Sequence, residues 1–175
     1  MELPYSSKAD SWPPALVCFR DGNGTARLLV ASWVGVACTL PAMATIAFPC
    51  CLQPQSAPAA GASFVIHLLD EGWAEANLQR PALKNLGAAF LFPETWTLGR
   101  GEATGAPLLA GCPLLVECRN GQPRSRFGQC LIEGEVVTAS VDGEVYGLEG
   151  PLDLCRLQPL VRRRPLREGY LQPPE

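Results

Sequence analysis

The residues Ala31-Ser32-Trp33 interrupt an apolar run that begins at Leu28 and resumes through Val34-Gly35-Val36-Ala37-Cys38. Small residues in such a run let a flat ligand come close to the backbone, where N–H and C=O groups can bond its edge. The Ser32 hydroxyl adds one directed donor and acceptor. Trp33 offers an aromatic face for stacking, and equally a face for a subunit interface. This layout suits a flat heterocycle better than a sugar or a metal. No other constellation competes with it. His67 is the only histidine, and the eight cysteines form no Cys-x-x-Cys and no Cys/His cluster. A tetrahedral metal site would have to gather scattered ligands, so no metal is expected. Asp70, Glu71 and Glu75 read as favourable charges near a helix start, not as catalytic acids.

The elements that must position these residues are mostly strands. Residues 15–19 read as a strand, and Arg20-Asp-Gly-Asn-Gly24 as a hairpin turn that supplies positive φ cheaply. Strands are expected at 27–38 and 42–49, joined by Thr-Leu-Pro. Residues 51–62 are proline-broken and uncharged, a loop with at most one helical turn. A buried strand follows at 63–69, with His67 on the face of Val65 and Leu69 as a structural histidine. One or two short helices are expected in 70–86, and 91–106 is mostly irregular. Strands are expected at 108–119 and 127–140, with Asn120-Gly121 as the turn between them. Asp142-Gly143 reads as a second hairpin turn, from which 144–148 pairs back. Many strands, few helices and no βαβ rhythm predict a β-barrel or sandwich.

The composition agrees. With 175 residues, 47% hydrophobic and 18% charged, the chain is long enough for one globular domain over 1–175. Residues 1–14 form a lead-in and 159–175 an Arg- and Pro-rich tail. A net charge of -3 argues against general nucleic-acid binding. No apolar run reaches the roughly 18 residues of a membrane span. The first residues lack the basic-then-apolar order of a signal peptide, so a cytoplasmic location is expected. Most of the cysteines lie in strand-like runs and read as buried, reduced thiols. Period-2 alternation places Cys112, Leu114, Val116 and Cys118 on one face. The vicinal pair Cys50-Cys51 stands apart at a strand end.

Taken in order, several segments resemble the flavin reductase-like family of FMN-binding split β-barrels, its flavoredoxin-type members most. The carriers are Leu3-Pro-Tyr-Ser-Ser7, Ala31-Ser-Trp-Val-Gly-Val36 followed by Leu40-Pro-Ala-Met43, Phe64-Val-Ile-His-Leu68, and Ala106-Pro-Leu-Leu-Ala-Gly-Cys-Pro-Leu-Leu-Val-Glu-Cys118 with Gly134-Glu-Val-Val137. The resemblance covers about residues 3 to 160. It implies a mainly β split barrel with a few short helices, forming a homodimer with FMN at the barrel rim. It also implies reduction of the flavin by NAD(P)H or by an electron-carrier protein. Ala31, Ser32, Trp33 and Val34 would line the flavin, and Cys38 and Thr39 would lie near it. The flavin itself carries the redox chemistry, so no catalytic side chain is required.

The sequence departs from the family in two places. Family members follow the second core strand with an arginine, an aromatic residue and a Ser/Thr-His pair that hold the phosphate. Here the stretch is Pro49-Cys50-Cys51-Leu52-Gln53-Pro54-Gln55, without arginine. Pro49, Cys50, Cys51 and Gln53 are then the neutral candidates for the cofactor tail. Lys84, Arg100 or the Arg162-Arg163-Arg164 run are the candidate cations. Many members also carry Gly-x-His before the strand matching 127–136, where this chain has Gln122-Pro-Arg-Ser-Arg126. The alternative is a divergent relative that has lost its cofactor and acts as a binding or scaffold protein. Pyridoxamine-oxidase-like chemistry is disfavoured, because the core strands lack an Arg/Lys cluster.

Overall fold

The computed structural model describes residues 15–31, 33–49, 58–68, 89–90, 96–126, 128–141 and 144–147. Among them the strands are β1 (Ala15–Arg20), β2 (Ala26–Ala31), β3 (Trp33–Thr39), β4 (Ala42–Pro49), β5 (Phe64–Leu68) and β6 (Ala89–Phe90). They continue with β7 (Leu98–Arg100), β8 (Pro107–Leu109), β9 (Leu114–Arg126), β10 (Gln129–Val141) and β11 (Glu144–Gly147). The large sheet runs β3-β4-β10-β9-β5-β1-β2-β6, with β11 paired to β10, and β7 and β8 form a separate ribbon. Every pairing is antiparallel. No helix occurs among the described residues. The helices expected in 70–86, most of the 51–62 loop, the lead-in and the tail lie outside them. No helix among the described residues is long and apolar enough to cross a membrane.

The sheet curls until β2 comes against β4 without sharing its ladder. Six strands, β4-β10-β9-β5-β1-β2, thereby enclose one core. Alternate residues fill it: Val17 and Phe19, Leu29 and Ala31, Ala44, Ile46 and Phe48, Phe64 and Ile66, Val116 and Cys118, and Ile132 and Val136. The seam between β2 and β4 makes this a split barrel.

On one side the barrel is also covered outside. Leu16, Cys18, Leu28, Val30, Val65 and His67 point away from the core and are buried all the same. The β8 strand packs against β1 and β5 there, bringing in Leu109. Two-sided burial explains why β1 and β5 read as continuous apolar runs rather than alternating ones.

The hairpin turn at 20–24 forms as expected. The Asp21 N–H donates to Thr25 O, and the Gly24 N–H to Asp21 O. Asp21 Oδ1 accepts from the N–H groups of Asn23 and Thr25, and Arg27 Nε donates to Oδ2 at 2.8 Å. The Arg27 guanidinium, with those amides, holds the Asp21 carboxyl below its usual range.

The stretch expected as a strand at 27–38 is strand on both sides of residue 32, with Ala26–Ala31 paired to β1 and Trp33–Thr39 to β4. Two expectations need correction. The strand expected at 108–119 breaks, since a turn at Ala110-Gly111, with Gly111 at φ 75°, separates β8 from β9. Cys112 therefore leaves the face of Leu114, Val116 and Cys118, and its thiol lies 3.9 Å from Leu68 O. Within 91–106, Leu98–Arg100 forms a short strand, and the other described residues are turn and irregular chain as expected. Finally, Asn120-Gly121 is a bulge inside β9, not a turn. Glu133 pairs with Gln122 and Glu135 with Arg119, so two residues of β9 oppose Gly134 alone. Asn120 takes φ 55°, which asparagine tolerates. The β9–β10 connection comes later, with Arg126 paired to Gln129 and Gly128 at φ 73°.

Candidate functional site around Trp33

Ala31 closes β2 opposite Ala15 of β1, and Trp33 opens β3 opposite Ala47 of β4. The described stretches before and after residue 32 therefore belong to different ladders. Ser32 itself lies outside the described residues.

Val34 points into the barrel core, so Trp33 and Gly35 face outward. Trp33 is 42% exposed. A Cβ on Gly35 would collide with the six-membered ring of the Trp33 indole. The indole therefore lies along its own strand, seated on the bare Gly35 backbone, and shows its other side to solvent. Gly35 was not among the predicted site residues. The available signal was a glycine two positions after an aromatic residue, on the same face of a strand.

Pro49 ends β4 two residues beyond Ala47, the partner of Trp33. Ala31, Trp33, Val34 and Pro49 thus share one end of the β3–β4 hairpin. Cys38 and Thr39 occupy the other end, six residues or roughly 20 Å of strand from Trp33 to Thr39. Thr39 pairs with Ala42 beside the cis Leu40–Pro41 peptide, and Leu40 is 78% exposed. A register shift between Val36 and Cys38 leaves both Ala37 and Cys38 exposed. The Cys38 thiol donates to Leu40 O at 3.4 Å. Cys50, Cys51, Gln53, Lys84 and Arg162-Arg163-Arg164 lie outside the described residues.

Four of the described arginines are engaged elsewhere. Arg20 donates to Gly24 O at the tip of the β1–β2 hairpin, and Arg27 pairs with Asp21. Arg119 makes a two-pronged pair with Glu135, both bonds at 2.9 Å, which raises the arginine's pKa and lowers the carboxyl's. Arg124 lies 3.6 Å from Glu133. The Arg100 guanidinium lies beside Gly105.

Two buried polar groups are structural. The Leu109 N–H donates to His67 Nε2 at 2.9 Å, and Nδ1 lies 3.2 Å from Leu16 O. Since Nε2 accepts, Nδ1 carries the proton and donates to Leu16 O. Burial pushes the His67 pKa down to about 4, against smaller opposing effects of Leu16 and Val65 backbone groups. This neutral ring pins β8 to β1 and β5. Glu117 does the same for the loop before β8. Its Oε2 accepts from Thr104 N at 2.9 Å and Thr104 Oγ1 at 2.7 Å.

Among the described residues no cluster of His, Cys, Asp and Glu could hold a metal ion. The thiols of Cys18, Cys112, Cys118 and Cys130 are buried and form no disulfide. Burial raises the pKa of Cys18 and Cys118, which keeps them protonated and unreactive.

No protein-family model matches the chain, and no curated protein sequence matches it. Solved structures do match. The NADH:FAD oxidoreductase SgcE6 of Streptomyces globisporus C-1027, in complex with NAD and FAD fragments, aligns with a TM-score of 0.60 at 19% identity, over 84% of this chain and 90% of that one. Flavoredoxin from Methanosarcina acetivorans aligns at 0.57 and 16% identity, over 86% and 81%. An FMN-binding protein from Thermus thermophilus aligns at 0.53 and 13% identity, over 85% and 89%. The seam, the strand order and these three likenesses agree: the chain has the flavin reductase-like split-barrel fold.

Proposed function

We propose that this chain is a flavin-dependent redox protein that binds FMN and passes hydride or electrons between NAD(P)H, or an electron carrier, and an acceptor. The supporting observation is the exposed Trp33 indole seated on Gly35, at the start of β3 and beside the end of β2. A flat ring fits this feature, because the indole gives it a stacking face. Solved structures sharing the fold include proteins described as an NADH:FAD oxidoreductase, a flavoredoxin and an FMN-binding protein.

In this reading Ala31, Ser32, Trp33 and Val34 orient the ring, and Pro49, Cys50, Cys51 and Gln53 follow toward its tail. Cys38 and Thr39 flank the far end of the hairpin. The flavin, when bound, supplies the chemistry, taking a hydride from reduced nicotinamide and handing its electrons to an acceptor. A homodimer fits the same reading, since β3 is an edge strand of the described sheet and presents Trp33, with Leu40 exposed at its end.

The test is anaerobic mixing of the protein, FMN and NADH or NADPH, with flavin absorbance and nucleotide oxidation followed together. Protein-dependent bleaching of the flavin is expected, and Trp33→Ala should weaken flavin binding. Absence of flavin binding would leave a cofactor-free scaffold on the same fold.

A further inference from the structure

Among the described residues, Asp21, His67 and Glu117 are buried polar side chains with partners. Asp21 accepts from Asn23, Thr25 and Arg27, His67 joins Leu109 to Leu16, and Glu117 accepts from Thr104. Thr45 differs. It is 7% exposed, and its hydroxyl makes no hydrogen bond among the described residues. A buried hydroxyl without a partner costs free energy, and a partner supplied by a ligand recovers that loss.

The surroundings of Thr45 say what ligand fits. Ala44 and Ile46 point into the core, so Thr45 points to the outer face, as Trp33 and Gly35 do. Thr45 pairs with Gly35 on β3 and with Glu133 on β10, and Trp33 is its diagonal neighbour. The indole reaches over Gly35, which brings its six-membered ring beside Thr45. Gly35 and Ala47, neighbours on this face, carry no polar side-chain atom. Glu133 could accept from the hydroxyl, but its carboxylate lies toward Arg124, 3.6 Å away.

We propose, resting on the flavin reading above, that Thr45 is a ligand-contact residue whose hydroxyl bonds the polar edge of the ring stacked on Trp33. The pyrimidine end of a flavin carries C=O and N–H groups side by side, and a hydroxyl can serve either. Stacking on the indole accepts any flat ring. The Thr45 hydrogen bond separates a flavin from an apolar ring of the same shape, because such a ring leaves the hydroxyl unpaired.

The experiment compares wild type, Thr45→Val and Thr45→Ser as full chains, by urea denaturation without ligand and by fluorescence titration with riboflavin. Valine keeps the β-branched shape and removes only the hydroxyl. Its midpoint should be unchanged or raised by up to about 0.5 M, since a hydroxyl without a partner is lost. Its riboflavin affinity should fall about threefold to tenfold. Serine keeps the hydroxyl and should bind riboflavin within about twofold of wild type. A valine variant less stable than wild type would reveal a structural partner for the hydroxyl and overturn the inference alone. Unchanged riboflavin affinity in the valine variant, or an equal loss in the serine variant, overturns it too. Failure of the wild type to bind riboflavin overturns the flavin reading and this inference with it.

Discussion

Acidification should unfasten the outer layer of the barrel through His67. The ring is fully buried and holds the Leu109 N–H and the Leu16 carbonyl at once, which only the neutral form can do. In the unfolded chain the imidazole titrates near its ordinary value of about 6.5, whereas in the folded barrel burial lowers it to about 4. Between those values the unfolded state binds a proton that the folded state refuses. Stability is therefore complete above the unfolded pKa and is lost as pH falls through the window toward the folded one. At pH 5.0 the loss relative to pH 7.5 works out at about 2 kcal/mol, rising to about 3 kcal/mol once both forms titrate. With a urea slope of ~2 kcal/mol/M, the denaturation midpoint should drop by about 1 M. The lowered carboxyls of Asp21 and Glu135 have the same sign. Their window begins at the unfolded carboxylate values, about 3.9 for Asp and 4.3 for Glu, and extends downward, so it lies mostly below pH 5.

The assay is urea denaturation of the wild type and of His67→Gln at pH 7.5 and 5.0. Glutamine can accept from Leu109 and donate to Leu16 without titrating, so its midpoint should move little between the two conditions. His67→Leu removes both partners and should cost about 2–5 kcal/mol at pH 7.5, as two buried backbone groups lose their bonds. A wild-type midpoint that ignores pH, or a glutamine variant with the same slope as the wild type, would refute the linkage.

Two further outcomes follow from the packing. A Cβ on Gly134 would lie 2.6 Å from Phe64 Cε1 and 3.2 Å from Arg119 O, at the bulge of β9. Phe64 is fully buried and cannot swing away, so Gly134→Ala should destabilise by about 1–3 kcal/mol, measured by the same denaturation. Among the described cysteines only Cys38 is exposed. Brief thiol labelling of the native protein, mapped by mass spectrometry, should modify Cys38 and spare Cys18, Cys112, Cys118 and Cys130. Rapid labelling of Cys118 would contradict the closed barrel.

Features set by neighbours in the chain were legible in the sequence. The turn at Asp21-Gly-Asn-Gly24 forms because Asp21 bonds its own next residues and Gly24 accepts φ 79° at no steric cost. The strands at 15–20, 42–49 and 64–68 follow from β-branched and aromatic residues between turn signals. The uncharged stretch 28–69 is likewise a property of sequence alone. Other features needed the partner strand. Asn120-Gly121 has the same local chemistry whether it turns or bulges. The length of β10 opposite it chooses, by pairing Glu133 with Gln122 and Glu135 with Arg119. No proline or glycine lies between Ala26–Ala31, which pairs with β1, and Trp33–Thr39, which pairs with β4. Leu109 meets His67 across 42 residues of chain, and Trp33 settles on Gly35 once β3 is straight and held by β4. Local dihedral preference wrote the strands and the first hairpin turn into the sequence. The closure of the barrel, which depends on contacts remote in the chain, placed the aromatic plate beside the seam.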